Sequence, residues 1–198
     1  LGFVNCIFVG NIKTMQEFID KLAPDFKPEM VNADTPEEAA FKTVELVRTG
    51  KAKALMKGNI STPILLKAVL NSETGIKDSS VLSHVLVYEH EGSLRFLTDG
   101  GMIPTPSLDN KIEIIKNAYK IAKKFGCNPV KVAVVSATEL VNTKIQSSLD
   151  AAVLSKMNDQ GYFGEDCIVD GPFGLDNVIS EEAAQIKHIK KKFKGNAD

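Results

Sequence analysis

CIVDGPFGLDN, residues 167–177, is the stretch that decides how this chain is read. Cys167, Ile168 and Val169 form a short apolar run that suits a buried strand. Asp170-Gly171-Pro172 closes it with a turn, because the residue before a proline is pushed to extended geometry and Gly171 cannot continue as helix. Leu175, Val178, Ile179 and Ala183 then recur at helical spacing, so a helix follows. In an open α/β sheet, ligands gather at the carboxyl ends of the strands, where helix N-termini favour anions. Asp170, with Gly171 and Gly174 after it, is therefore a site candidate. The same residues also read as a structural turn in which Asp170 caps its own backbone.

On either side of this stretch, strand and helix patterns alternate. Residues 3–9 (FVNCIFV) read as a buried strand closed by Gly10. Thr14-Met15-Gln16-Glu17 has the spacing of a capping box, opening a helix that carries Phe18, Ile19 and Leu22. The stretch from Pro24 to Pro28 breaks it. Thr35-Pro36-Glu37-Glu38 is a second box with proline at the first helical position, and Gly50 suits the stop. Ala52–Met56 reads as a strand ending at Lys57-Gly58-Asn59, and Thr62–Leu70 as a helix. Val81–Tyr88 and Leu94–Thr98 read as strands linked hairpin-fashion through His90–Ser93, the second ending at Asp99-Gly100-Gly101. Leu108–Phe125 is the longest periodic run and Val130–Val135 the cleanest parallel-type strand; Ser136-Ala137-Thr138-Glu139 follows it. A helix from about 147 to 160, ended by Gly161, leads back to the opening stretch. The alternation predicts an α/β fold with a largely parallel sheet. Two prolines in Met102–Ser107 predict a crossing between lobes, residues 1–106 and 107–198.

Bulk composition narrows the function. With 43% apolar and 25% charged residues, the chain has the make-up of a globular protein, and its length of 198 residues suffices for one large or two small cores. A net charge of −1 and the lack of a basic stripe with interleaved aromatics argue against a nucleic-acid partner. The basic run Lys190–Lys194 reads as a solvated helix end. Cys6, Cys127 and Cys167 are scattered without a CxxC pair, which predicts reduced thiols in a cytoplasmic protein and no zinc site. His84, His90 and His188 show no metal-ligand spacing. No membrane span or leader is expected. The chain begins at Leu1 inside a strand-like run, as a fragment would.

Four turns are expected where strands end: Lys57-Gly58-Asn59, Asp99-Gly100-Gly101, Ser136–Glu139 and Asp170-Gly171-Pro172. Parallel strands would set most of them on one rim. Their glycines let a ligand approach the backbone, and free N–H groups can hold phosphate oxygens. Lys57 and Lys144 would supply point charges for the same anion. This is a phosphate-handling rim without GxxxxGK[ST] or GxGxxG, and no GxSxG supports a hydrolase serine.

Ala54-Leu55-Met56-Lys57-Gly58 with Thr62 and Leu65-Leu66, and Leu97-Thr98-Asp99-Gly100, resemble first-lobe motifs of the phosphate acetyl/butyryl transferases. Asn142-Thr143-Lys144-Ile145, Leu149-Asp150-Ala151-Ala152, Leu154-Ser155-Lys156-Met157, Val169-Asp170-Gly171-Pro172, Leu175-Asp176-Asn177 and Gly195-Asn196-Ala197-Asp198 resemble the second. The wording leans toward the butyryl branch. The resemblance implies two α/β/α lobes of the isocitrate/isopropylmalate dehydrogenase type, with a three-layer, mostly parallel design and an interlobe cleft. It implies reversible transfer of a short-chain acyl group between coenzyme A and inorganic phosphate, giving an acyl phosphate, with no cofactor beyond CoA as substrate. By resemblance, Asp170 and Lys144 would serve catalysis. Lys57, Gly58, Thr62, Lys67, Asp99, Gly100, Ser136, Gly171 and Pro172 would bind substrate, and the protein would be a dimer or larger.

One departure stands out. The resemblance places the family's thiol-activating residues in a segment beyond the GNAD stretch, so the family's base maps to no residue of this sequence. Two other functions remain open: a non-catalytic acyl-CoA or phosphate-binding module, and an NAD(P)-dependent dehydrogenase on the same fold.

Overall fold

Short polar side chains and prolines set most of the helix starts. A computed structural model of the chain describes residues 4–198, so Phe3, at the head of the first expected strand, lies outside the described residues. The chain divides into two compact units, Leu1–Asp78 and Ser79–Asp198.

In the first unit, β1 (Ile7–Gly10) pairs in parallel with β2 (Glu29–Asn32), Ile7 opposite Glu29 and Gly10 opposite Asn32. Helix α1 (Ile12–Leu22) joins them. It starts earlier than the expected box, because Asn11 Oδ1 accepts from Thr14 N at 3.0 Å and from Thr14 Oγ1 at 3.2 Å, taking the cap that Thr14 was expected to hold. Helix α2 (Pro36–Arg48) begins as expected, with Thr35 Oγ1 accepting from Glu38 N and proline in the first turn. Helix α3 (Thr62–Val69) follows. The expected strand at 52–56 is absent among the described residues. Apolar spacing alone does not make a strand; a partner backbone must complete the ladder, and Ala52 N donates instead to Leu46 O at the end of α2. Lys57-Gly58-Asn59 is thus a loop before α3 and not a strand end.

In the second unit, β3 (Leu86–His90) and β4 (Ser93–Leu97) form an antiparallel hairpin with His90 opposite Ser93. Glu91 and Gly92 make the link, at φ 51° and 73°, the left-handed geometry of a tight hairpin turn. The hairpin, expected with the first lobe, packs within this unit. Phe96 N donates to Asp198 O (2.7 Å), Arg95 Nη1 to Ala197 O (2.7 Å), and Asp198 N to Lys131 O (2.9 Å).

Helix α4 (Leu108–Lys124) opens with a reciprocal capping box between Ser107 and Asn110. Strand β5 (Val130–Val135) has the expected bounds, and α5 (Gln146–Asp159) nearly so. Strand β6 (Cys167–Phe173) lies parallel to β5, Val130 opposite Cys167 and Ala133 opposite Asp170. It runs on through Gly171 and Pro172, where a turn was expected. The register shifts there, so that Val135 faces Phe173, and the extra residue bulges the strand. Gly171 permits this: at φ +155°, a Cβ would sit 2.6 Å from Val134 O. The helix expected after it is two, α6 (Leu175–Ile179) and α7 (Glu181–Ile186), because Ser180 turns extended and caps the second by accepting from Ala183 N.

The core of this unit joins α4, α5 and β6 through Ile112, Ile115, Leu154, Phe163, Cys167 and Val169. Leu154 and Val169 are wholly buried, each worth roughly 1.5–3 kcal/mol of transfer. A smaller cluster of Phe173, Val178 and Phe193 fastens the chain's last segment near β6. Among the described residues the three sheets are each two-stranded, two parallel and one antiparallel, so the observed class is α/β with small sheets. No helix among the described residues is long and apolar enough to cross a membrane.

Candidate functional site

The carboxyl end of β5 and β6 is where sequence-expected site residues meet. Ser136 N donates to Phe173 O at 2.8 Å, tying the two strand ends together. Ser136 Oγ lies 2.8 Å from Ser147 Oγ in the first turn of α5. No side chain among the described residues caps α5. Its leading N–H groups and the two hydroxyls give this edge a donor-rich, anion-favouring character. Between Ser136 and Ile145 runs a loop carrying Lys144, an exposed residue whose N–H is held by Asn142 Oδ1 at 2.9 Å. Ser148, wholly buried, fixes the far end of the loop: its hydroxyl accepts from Asn142 N (2.9 Å) and lies within reach of the carbonyls of Asn142 and Ile145.

Asp170 is part of the frame under this edge. It is 8% exposed, and both oxygens are engaged. Oδ1 accepts from Ser155 Oγ (2.9 Å) and Gly171 N (2.9 Å), and Oδ2 from Lys192 N (2.9 Å). One carboxylate thus joins α5, the bulge of β6 and the segment after α7. The bond to Gly171 N is the local cap that the residues alone also allowed. Gly171 and Pro172 stand beside Val134 and Phe173 at the same edge.

A group that sequence reasoning passed over lies next to it. Glu139, in the loop after β5, accepts at Oε1 from Asn177 Nδ2 (3.0 Å) and from Lys187 Nζ (2.9 Å). Lys187 also reaches Asp176 at 2.9 Å. Hydrogen bonds from Lys187 first, then from Asn177 and the backbone, hold the Glu139 carboxyl down at about 2. The same two carboxylates push the Lys187 ammonium up, the hydrogen bond to Glu139 first and that to Asp176 next. Asn177 is wholly buried, and its Oδ1 has no hydrogen-bond partner among the described residues. Gly174 makes the close approach possible, since a Cβ there would lie 3.0 Å from Glu139 Oε1 and 2.8 Å from Asp176 Oδ1. The only sequence signal was the polar turn after β5; Lys187 gave none, because its partners lie far away in the chain.

Asp99 and Gly100 follow β4. Burial raises the Asp99 carboxyl, but N–H groups of Gly101 and Met102, each 2.9 Å from Oδ1, outweigh it, as do the main chain and imidazole of His84; the net shift is downward. Its other oxygen is buried without a well-formed hydrogen bond among the described residues. Thr62 and Lys67 are exposed on α3 of the first unit. Lys57 and Gly58 lie in the loop before it, where Lys57 Nζ donates to Ile60 O at 2.9 Å and thus steadies its own loop. Ser136, Gly171 and Pro172 are therefore brought together in one sheet end, while Lys57, Gly58, Thr62 and Lys67 form a separate set within the first unit. No group of acidic, histidine or cysteine side chains among the described residues could hold a metal ion.

Residues 9–198 match the family described as phosphate acetyl/butaryl transferase. The chain is 42% identical over 200 residues to the phosphate butyryltransferase of Clostridium acetobutylicum, covering all of this chain and 66% of that protein. It is 39% identical over 194 residues to the phosphate acetyltransferase of Thermotoga maritima, covering 97% of this chain and 66% of the relative. It thus spans just under two thirds of the length of these relatives. A crystal structure of a branched-chain phosphotransacylase from Enterococcus faecalis V583 superposes with a TM-score of 0.79 at 32% identity, covering 98% of this chain and 78% of that one.

Proposed function

We propose, from the premise that this chain belongs to the phosphate acetyl/butyryl transferase family, that the whole protein transfers a short-chain acyl group reversibly between coenzyme A and inorganic phosphate. The butyryltransferase of C. acetobutylicum and the branched-chain enzyme of E. faecalis support a butyryl or branched-chain acyl group. A phosphate oxygen attacks the thioester carbonyl; the C–O bond forms, the C–S bond breaks, and the thiolate leaves to take up a proton. Acyl phosphate and CoA result. CoA is a substrate in this reading, with no further cofactor, and the protein acts in the cytoplasm as a dimer or larger.

The observation that carries the proposal is the donor-rich edge of β5 and β6, with Ser136 and Ser147 in contact at the start of an uncapped α5. Such an edge suits phosphate oxygens and the charge that develops on the carbonyl oxygen. Lys144, Gly171 and Pro172 line it; Asp170 keeps its shape. Lys57, Gly58 and Thr62 face CoA or phosphate, Lys67 meets a CoA phosphate, and Asp99 and Gly100 line the cleft. The two-lobed, isocitrate/isopropylmalate dehydrogenase-like arrangement with its cleft belongs to the same proposal and rests on the family resemblance. No residue of this chain is assigned the proton transfer.

The test uses a polypeptide of the relatives' full length, butyryl-CoA and phosphate, with release of the CoA thiol as the signal. Release well above background is expected, and none would remove the reading. CoA binding without turnover would favour the binding module, and saturable binding of NAD(P) the dehydrogenase.

A further inference from the structure

We infer that Glu139 is a positioning residue: through Asn177 and Lys187 it pins the middle of the 136–145 loop to the segment after β6, and so holds Lys144 at the anion-favouring edge. The inference rests on the function proposed above for Lys144, and on geometry of its own.

The loop has anchors at both ends, Ser136 against Ser147 and Asn142 against Ser148. Apolar packing does not hold its middle: Leu140 and Val141 are 77% and 58% exposed. What the middle has is Glu139, whose Oε1 receives two donors from α6 and the end of α7. One donor is an amide from a wholly buried side chain, which fixes where the carboxylate must sit. The other is an ammonium shared with Asp176, so the tie carries charge as well as hydrogen bonds. Gly174 leaves the space that this approach needs. A carboxyl held ionised at about 2 has no proton to give or take near neutrality, which suits a tether and not an acid or base.

The variants Glu139→Gln and Lys187→Met, and the two combined, test it in two ways. Amide exchange over residues 137–145 is read in the chain as it stands. Either single change should speed it about tenfold while β5 and α4 keep their protection. The double variant should be little worse than the singles, because both remove one tie. In the full-length polypeptide, KM for phosphate should rise about tenfold with kcat within about twofold, the mark of lost ground-state placement. Unchanged loop exchange in both singles overturns the inference, as does an even loss of protection across the second unit. A fall in kcat at constant KM makes Glu139 something other than a positioning residue. If the unaltered full-length protein transfers no acyl group, the proposed function fails, and loop exchange still decides whether Glu139 is the tether.

Discussion

Replacing Asp170 with asparagine separates a chemical carboxylate from a structural one. Asp170 is 8% exposed and accepts three hydrogen bonds, from Ser155 Oγ, Gly171 N and Lys192 N. Asparagine keeps the shape but turns one acceptor into a donor. If its amide nitrogen replaces Oδ2, it faces the Lys192 N–H; if it replaces Oδ1, it faces the Gly171 N–H. The Ser155 hydroxyl can rotate to adapt, whereas a main-chain N–H cannot. In either orientation a bond to a charged acceptor is lost, and the bonds that remain lose their charge assistance. At roughly 1.5–3 kcal/mol for such a bond, with some added cost for a buried donor left bare, the change should destabilise the second unit by about 2–4 kcal/mol. Urea unfolding of the chain followed by circular dichroism measures this, and the melting temperature should fall by about 5–15 °C. Turnover by the full-length variant, measured where it is still folded, should stay within about threefold of the unaltered protein. A stability within about 0.5 kcal/mol of the original, together with a large loss of turnover, would refute the frame and make Asp170 a participant in the chemistry.

Two further outcomes are expected. Gly171→Ala puts a Cβ 2.6 Å from Val134 O at φ +155°, whereas Gly126→Ala, at φ +92°, meets nothing within 4 Å. Denaturation should cost about 1–2 kcal/mol for Gly126→Ala, and at least about 2 kcal/mol more for Gly171→Ala, since backbone strain and overpacking act together there; equal costs would show that the bulge yields freely. For Glu139→Gln, the pH dependence has a definite sign. The folded carboxyl sits at about 2, below its ordinary 4.5, so its stabilisation is fully present above pH 4.5 and is lost as pH falls toward 2. The difference in melting temperature between Glu139→Gln and the original should therefore be largest near neutrality and should shrink below pH 4.5; a constant difference would mean that charge is not involved.

How much of this protein was legible in its sequence depended on how local the cause was. Helix α2 follows from Thr35, Pro36 and Glu38 within one turn, and β5 from a run of residues apolar except for Lys131. The motifs that mark the family lie in order along the chain, so kinship too was readable. Features that need a distant partner were not. Ala52–Met56 has the composition of a strand and no ladder to join among the described residues, while Glu29–Asn32 has half-polar composition and finds one in β1. Asn11 took the cap expected of Thr14 because a side-chain oxygen sat within reach of the first free N–H groups.

The site shows the same division. Residue type and position set out a polar, glycine-bearing edge at the end of β5 and β6, and Ser136, Gly171 and Pro172 do meet there. Only tertiary structure decided that Asp170 is clamped from three directions and that Glu139 reaches Lys187, 48 positions along the chain. A carboxylate's identity can be read from one letter. Its role depends on which donors the folded chain brings to its oxygens and how much water they displace, and those donors come from elements far apart in the sequence.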